Sequence, residues 1–252
     1  MIYIYDDSFD GFLTVIFDIY DLKIQPADIC RERNHQPSLF AEKRTIITDG
    51  HKAGRVLSGI KKKLSLHGVH GIYKCWLSEQ VGIEMMLFRY ISYAIKSKRN
   101  IENDFSDSDV LEVSQVVKKI NREIHRMHAF VRFQKTRDGV YAATIAPDFD
   151  VVTLLAPHFK ERYKSQQWFI YDTKRQYGIY YDLSEVVEVK LENAQWQGRN
   201  KVSRLVLAEE EKEFELWWKS YFKATSIEER ANIKLHLKHV PRRYWRYLPE
   251  KV

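Results

Sequence analysis

The spacing of apolar residues changes period part-way along this chain, and that change fixes the fold class. Val110, Val113, Val117, Ile120, Ile124 and Met127 recur every three or four positions, the repeat of one helix face. From His128 the repeat becomes two. HAFVRFQ and GVYAATIA alternate as strands do and are joined by turn residues at Arg137, Asp138 and Gly139. A helix is predicted over 150–162, and WFIYD, YGIYYD and EVVEVKL read as three further strands. The second half is therefore ββαβββ, an antiparallel sheet with a packed helix, followed by a helical C-terminal tail from about residue 209.

The first half is mainly helical with short strands. Met1 to Tyr5 reads as a strand, followed by a helix in which Phe12, Leu13, Ile16, Phe17 and Tyr20 share a face and Ser8 or Asp10 supplies the cap. A polar connection is expected around Arg31 to Ser38, and a strand over Lys43 to Thr48. Val56, Leu57, Ile60 and Leu64 mark an amphipathic helix, and a helix from Ser78 to Ser97 is apolar on nearly every side. Between them, LHGVHG places Gly68 and Gly71 one residue too far apart for a helix-hairpin-helix unit, so it reads as an interhelical turn. Ser106, Asp107 and Ser108 offer caps for the Val110–Met127 helix. The fold class is α+β, with a soft boundary near residue 125 dividing 1–125 from 126–252, and a single domain is the alternative.

Charge narrows the partner more than composition does. Residues 1–42 carry eight acids and three bases, residues 43–74 eight Lys/Arg and one Asp, and residues 217–252 nine Lys/Arg and three Glu. Two basic blocks in a chain otherwise close to neutral or acidic are the footprint expected of polyanion binding, with solvated helix faces as the competing reading. Lys61, Lys62 and Lys63 suit phosphate and equally suit a helix C-terminus, where the macrodipole is negative. Two cysteines, Cys30 and Cys75, are too few for a disulfide framework or an iron–sulfur set. With no basic leader before the first acids, and with Val81–Ile95 broken by Glu84 and Arg89, the expectation is a cytoplasmic protein with no membrane partner, no resident metal and no cofactor.

Three stretches could carry chemistry. HRMHAFVRF sets His125 and His128 three apart at a helix end, beside Arg132; such a pair could move a proton, with Asp172 or His158 as a third group, or simply end a helix. WFIYDTKRQYGIYYD interleaves Trp168, Tyr171, Tyr177, Tyr180 and Tyr181 with Asp172 and Arg175. Such rings can stack bases, but they read first as a hairpin's aromatic face, with Asp172 and Arg175 paired across its turn. HVPRRYWRYLPE groups Arg242, Arg243 and Arg246 around Tyr244, Trp245 and Tyr247, a pattern for phosphate contact or for anchoring the terminus. P-loop, dinucleotide, HExxH and GxSxG motifs are absent.

In order along the chain, YDDSFDGFLTVIFDIY, HRMHAFVRF, APDFDVVTLLAPHFKERY, WFIYDTKRQYGIYYD and PRRYWRYLPE resemble the uncharacterised bacterial family called "probable DNA metabolism protein", a domain of unknown function, over essentially the full length. The resemblance implies association with a radical-SAM DNA modification or repair protein, and relation to domains fused to uracil-DNA-glycosylase-like proteins. It supplies no catalytic residues. The residues chosen on chemistry are His125, His128 and Asp172 for catalysis. For nucleic acid they are Lys61, Lys62, Lys63, Arg132, Arg162, Arg175, Arg242, Arg243 and Arg246. Radical chemistry, lacking a three-cysteine motif here, would belong to the partner. The leading expectation is an accessory DNA-binding protein in repair or modification. The alternatives are an enzyme acting on DNA or nucleotides through a His/Asp/Arg site, and a scaffold that does not touch nucleic acid.

Overall fold

The structure, a computed structural model, describes residues 1–36, 42–190, 207–225 and 232–251. Pro37 and Ser38 of the expected connection, Leu191 of the last expected strand and Arg230 of the C-terminal basic block lie outside these. The chain forms two compact units, Met1–Ile120 and Asn121–Val252. Its class is α+β. Among the described residues no helix is long and apolar enough to cross a membrane.

The first unit is built on a three-stranded parallel sheet in the order β2-β1-β3, with β1 at Ile2–Tyr5, β2 at Asp28–Arg31 and β3 at Lys43–Thr45. Central β1 is covered on both faces, which is why IYIY runs apolar without alternation and Tyr3, Ile4 and Tyr5 are all buried. Helix α1 (Phe9–Leu22) starts where Ser8 Oγ accepts from Gly11 N at 2.9 Å, and Asp6 fixes that hydroxyl at 2.6 Å. Gly11 lets these side chains close in, because a Cβ would lie 2.3 Å from Asp6 Oδ1 and displace it. Helix α2 (Gly50–Lys61) is capped by Asp49.

Two expectations change in this unit. LHGVHG is not a turn: it opens helix α3 (Leu66–Leu77), capped by Ser65, with Gly68 and Gly71 on its buried side. A Cβ at Gly68 would meet the Glu102 carboxyl at 2.8 Å, so this glycine sits in a close contact rather than a chain reversal, while a Cβ at Gly71 would make ordinary contact with Val117 at 3.5 Å. The residue at which the polar connection was expected to begin, Arg31, is the last of a strand, β2, and is buried because the fold supplies partners far away in sequence. Its Nε donates to Glu84 Oε1 at 2.9 Å, its NH2 donates to the Trp76 carbonyl at 2.5 Å, and the guanidinium lies 4.4 Å from the Trp76 ring centroid. Tyr5 donates to the same carboxylate at 3.1 Å and accepts from Trp76 Nε1 at 3.0 Å. Helix α4 (Ile83–Lys96), which carries Glu84, starts after Gly82 at φ +79°, later than the apolar pattern indicated.

Helix α5 spans Ser108–Phe130, with Asp107 accepting from the backbone N–H groups of Asp109 and Val110. It thus continues through His128, where alternation was expected to begin. The first strand of the second unit shrinks to β4 (Gln134–Lys135). With β5 (Tyr141–Ile145), β6 (Trp168–Asp172), β7 (Tyr177–Tyr181) and β8 (Val186–Val189) it forms one sheet in chain order. Its pairs are antiparallel except β5–β6, which are parallel because helix α6 (Val152–Arg162) joins them as a crossover. Central β6 is buried at every position. Gly178 permits the β6–β7 contact, since a Cβ would sit 2.4 Å from the Ile170 carbonyl oxygen. The tail comprises α7 (Glu211–Thr225), α8 (Ile233–His239) and short 3-10 turns at Arg242–Tyr247 and Pro249–Lys251.

Replacing Glu84 with Ala removes the nearest carboxylate from the buried Arg31 guanidinium and leaves it the Trp76 carbonyl and Glu79, 3.9 Å away. Urea unfolding is expected to show a loss of up to about 3–5 kcal/mol, and a smaller loss for Arg31→Met with Glu84→Leu, which removes both charges. An unchanged midpoint for Glu84→Ala would contradict this role.

Candidate functional site

The second unit contains a cavity of about 780 Å³, within the size range that holds small ligands. One wall comes from the end of α5 and the segment after it, through His128, Arg132 and Phe133. A second comes from α6 and its exit, through His158, Phe159, Arg162 and Tyr163, and α7 adds Phe214 and Trp218. Rings dominate. Phe133 makes edge contacts with Phe159 and Tyr163 at 5.5 and 5.3 Å, and Trp168 closes the floor at 1% exposure.

The local sequence explains this convergence. Helix α5 runs one turn beyond His125, so His128 points inward while His125 remains exposed. Helix α6 carries Pro157 within it and presents His158 to the same place. The two imidazoles stack, with centroids 3.9 Å apart and planes 15° from parallel. Burial, reinforced by His158 and His125, pushes the His128 pKa down to about 4, so the ring is neutral at physiological pH. His128 Nε2, Arg132 Nε and Trp168 Nε1 are all buried without a hydrogen-bond partner among the described residues. Such a group costs about 1–3 kcal/mol if left unpaired, and all three belong to residues that line the cavity, where a water or a ligand atom has room to meet them.

The cations divide into committed and available groups. Arg132 is tied down: its guanidinium donates to Glu250 at 2.7 Å and to the Ala129 carbonyl at 2.7 Å, and lies 5.6 Å from the Trp218 ring centroid. Glu250 also accepts from Trp218 Nε1 at 3.0 Å; burial pushes this carboxyl up, but its hydrogen bonds outweigh that and hold it low. Arg162 is exposed beside the cavity, and its partner among the described residues is the neighbouring Tyr163, 3.4 Å from Nε to the hydroxyl. Among the lining residues of α7, burial raises the Glu211 pKa although its carboxylate accepts the Lys135 N–H at 3.0 Å.

The other sequence candidates lie elsewhere. Asp172 does not line the cavity. It is fully buried in the β6–β7 turn, where Arg175 NH1 donates to it at 2.8 Å and Arg175 also donates to the Pro147 and Asp148 carbonyls. Burial raises the Asp172 pKa in spite of that neighbour. Arg243 binds Glu123 and Asp148 at 3.4 and 2.8 Å, so it anchors the tail, while Arg242 and Arg246 are exposed on neighbouring rings. Lys61, Lys62 and Lys63 lie at the exposed end of α2 in the first unit. Lys63 donates to the Ser97 carbonyl at 2.8 Å, and Lys62 and Lys63 line an open groove with Arg55, Phe17 and Tyr20. The sequence reading missed Phe214 and Trp218, whose one visible signal was the density of rings in EFELWWKSYF.

Residues 81–250 match a family described as a domain of unknown function, DUF4130, and every lining residue of the cavity falls within that span. No curated protein matches the chain. Among solved structures, a pGpG-specific phosphodiesterase from Vibrio cholerae is 8% identical, with 89% of this chain and 99% of the other covered and a TM-score of 0.33, a likeness too slight to carry an argument.

Because the folded His128 pKa of about 4 lies below the ordinary 6.5, the unfolded chain protonates first on acidification. The stability that His128 contributes is whole above about pH 6.5 and is lost as pH falls toward 4. An NMR titration is expected to show His128 neutral through pH 5, and His158→Gln to raise its midpoint. A midpoint near 6.5 in the native chain would refute the placement.

Proposed function

We propose that this chain, which belongs to the DUF4130 family of domains of unknown function, binds nucleic acid by taking an unstacked base into the aromatic cavity of its second unit. The observation that carries the proposal is the pairing of a ring-lined cavity with an exposed, uncommitted arginine, Arg162, at its side. Aromatic faces accept any base by stacking, and a guanidinium accepts the phosphate that accompanies it. The cavity is too polar at its walls to be filler and too aromatic to suit a small anion alone. The basic blocks supply the long-range attraction, with Arg242 and Arg246 near the terminus and Lys61 and Lys62 in the other unit. In this reading the protein is an accessory DNA-binding factor of repair or modification, acting in the cytoplasm. Its pairing with a radical-SAM protein rests on the sequence resemblance alone.

A second reading, an enzyme acting on DNA or a nucleotide, is favoured by the neutral His128 stacked on His158 in the same walls. A neutral imidazole there could take or relay a proton from a bound nucleotide. The two readings separate cleanly. In the enzyme reading His128→Gln abolishes turnover and leaves binding intact; in the binding reading there is no turnover to lose.

Fluorescence anisotropy with labelled single-stranded DNA is expected to show binding that weakens steeply with salt. Tyr163→Ala should weaken it by about 1–3 kcal/mol, the worth of one stacked base. Arg162→Ala should flatten the salt slope by about one unit. Absence of binding at low salt would end the proposal, and copurification with a protein partner in that case would favour the scaffold.

A further inference from the structure

Helix α2 presents a positive face with little side-chain bulk beside it. His51, Arg55, Ser58 and Lys62 follow at steps of four, three and four residues, which at 3.6 residues per turn aligns them within about 60° of one another. Gly54 and Gly59 border this row on either side. A glycine inside a helix weakens it relative to alanine, yet neither is needed for packing, because a Cβ at either position would meet no atom within 4 Å. The missing side chains leave the cations open to a partner that approaches the helix backbone closely.

Charge identifies the partner. From Gly50 to Lys63 the chain carries five Lys/Arg and no acid. Lys52 is paired with Asp18 at 2.7 Å, Asp49 caps the helix, and Asp21 lies in the adjoining groove with Arg55, Lys62 and Lys63. Against these three acids the five bases keep a surplus of two. Arg55, Lys61 and Lys62 make no ion pair among the described residues, and the Arg55 guanidinium rests 4.8 Å from the Phe17 ring centroid. Lys63 donates to the Ser97 carbonyl at 2.8 Å, which brings the end of α4 alongside, where Lys96, Lys98 and Arg99 outnumber Glu102 and Asp104. The negative end of the helix dipole accounts for Lys61, Lys62 and Lys63, but not for Arg55 in mid-helix. A lipid surface would require large apolar side chains on this face, whereas the buried residues of α2 are Ala53 and Ile60, on its other side. A phosphate backbone requires only positive charge and close approach.

We propose that the α2 face of the first unit docks on the phosphate backbone of nucleic acid, with phosphates seated on Arg55 and Lys62 and along the lysines that follow. The contact is short-range seating on one helix face, beyond the long-range attraction of a basic block. It needs no unpaired base and does not depend on the cavity. Phosphate contacts read neither sequence nor pairing, so a duplex is bound as well as a single strand.

The test follows the full chain with a fluorescein-labelled DNA duplex by anisotropy at low salt. The duplex is expected to bind, and Arg55→Gln with Lys62→Gln should weaken it roughly tenfold and flatten the logarithmic salt slope by about two units. Gly54→Gln, which changes no charge and fills space that the fold leaves empty, should weaken it as well, with an unchanged circular dichroism spectrum. Tyr163→Ala, in the cavity, should leave duplex affinity as it was. Duplex binding that is absent, or that is unchanged in the α2 variants, overturns the proposal, whatever Tyr163→Ala does to the single strand. A single strand indifferent to Tyr163→Ala, beside a duplex weakened by Arg55→Gln with Lys62→Gln, would sink the cavity reading and leave the α2 face standing. Sedimentation with phosphatidylserine vesicles in the absence of duplex binding would assign the face to a membrane and likewise overturn the proposal.

Discussion

The Glu123 carboxylate is the point on which the second unit is organised. It lies on α5 at 2% exposure and collects three partners from two distant segments. Tyr244 donates its hydroxyl proton to it, the Asp148 N–H donates at 2.9 Å, and Arg243 reaches it at 3.4 Å. A buried carboxylate left bare is costly, and three converging donors make the burial tolerable. The consequence is geometric. The tail is drawn onto α5, the following 3-10 turn is set down beside it, and Glu250 then grips Arg132 and Trp218 at the edge of the cavity. The cavity thus depends on a contact that takes no part in it.

That dependence separates the arginines by role. Arg132, Arg175 and Arg243 are spent on holding chain segments, each through a buried or half-buried carboxylate that other donors also reach. Arg162 has no such duty, and its guanidinium stays beside the rings. A basic motif therefore divides on folding into structural and available charge, and the division follows from which carboxylates are buried. The same logic operates in the first unit, where Arg31 is consumed by Glu84 and Trp76.

Much of the fold was legible where the determinant is local. The three-four spacing along α5, the caps at Ser8 and Asp107, the turn at Gly139 with φ +85° and the pairing of Asp172 with Arg175 all involve residues a few positions apart. What failed depended on distant partners. The strand at Asp28–Arg31 was not indicated, and the polar connection was expected to begin at Arg31, which is made buriable by Glu84, 53 residues later. LHGVHG looked like a turn because its glycines lie on the buried side of a helix, with Gly68 against the distant Glu102. The site divides the same way. His128 and the ring cluster near Trp168 were visible in the sequence. The pairing of His128 with His158 rather than Asp172, and the wall supplied by α7, arise from tertiary packing of α6 and α7 against the end of α5.

The central claim is that the aromatic cavity of the second unit receives an unstacked base. Photo-crosslinking of a single strand containing one 5-iodouridine, followed by peptide mapping, tests it most directly. The expected adducts fall on the rings that line the cavity, at Phe133, Tyr163, Trp168 or Trp218. Crosslinks confined to the lysines at the end of α2 or to the arginines of the tail, with none on those rings, would contradict it.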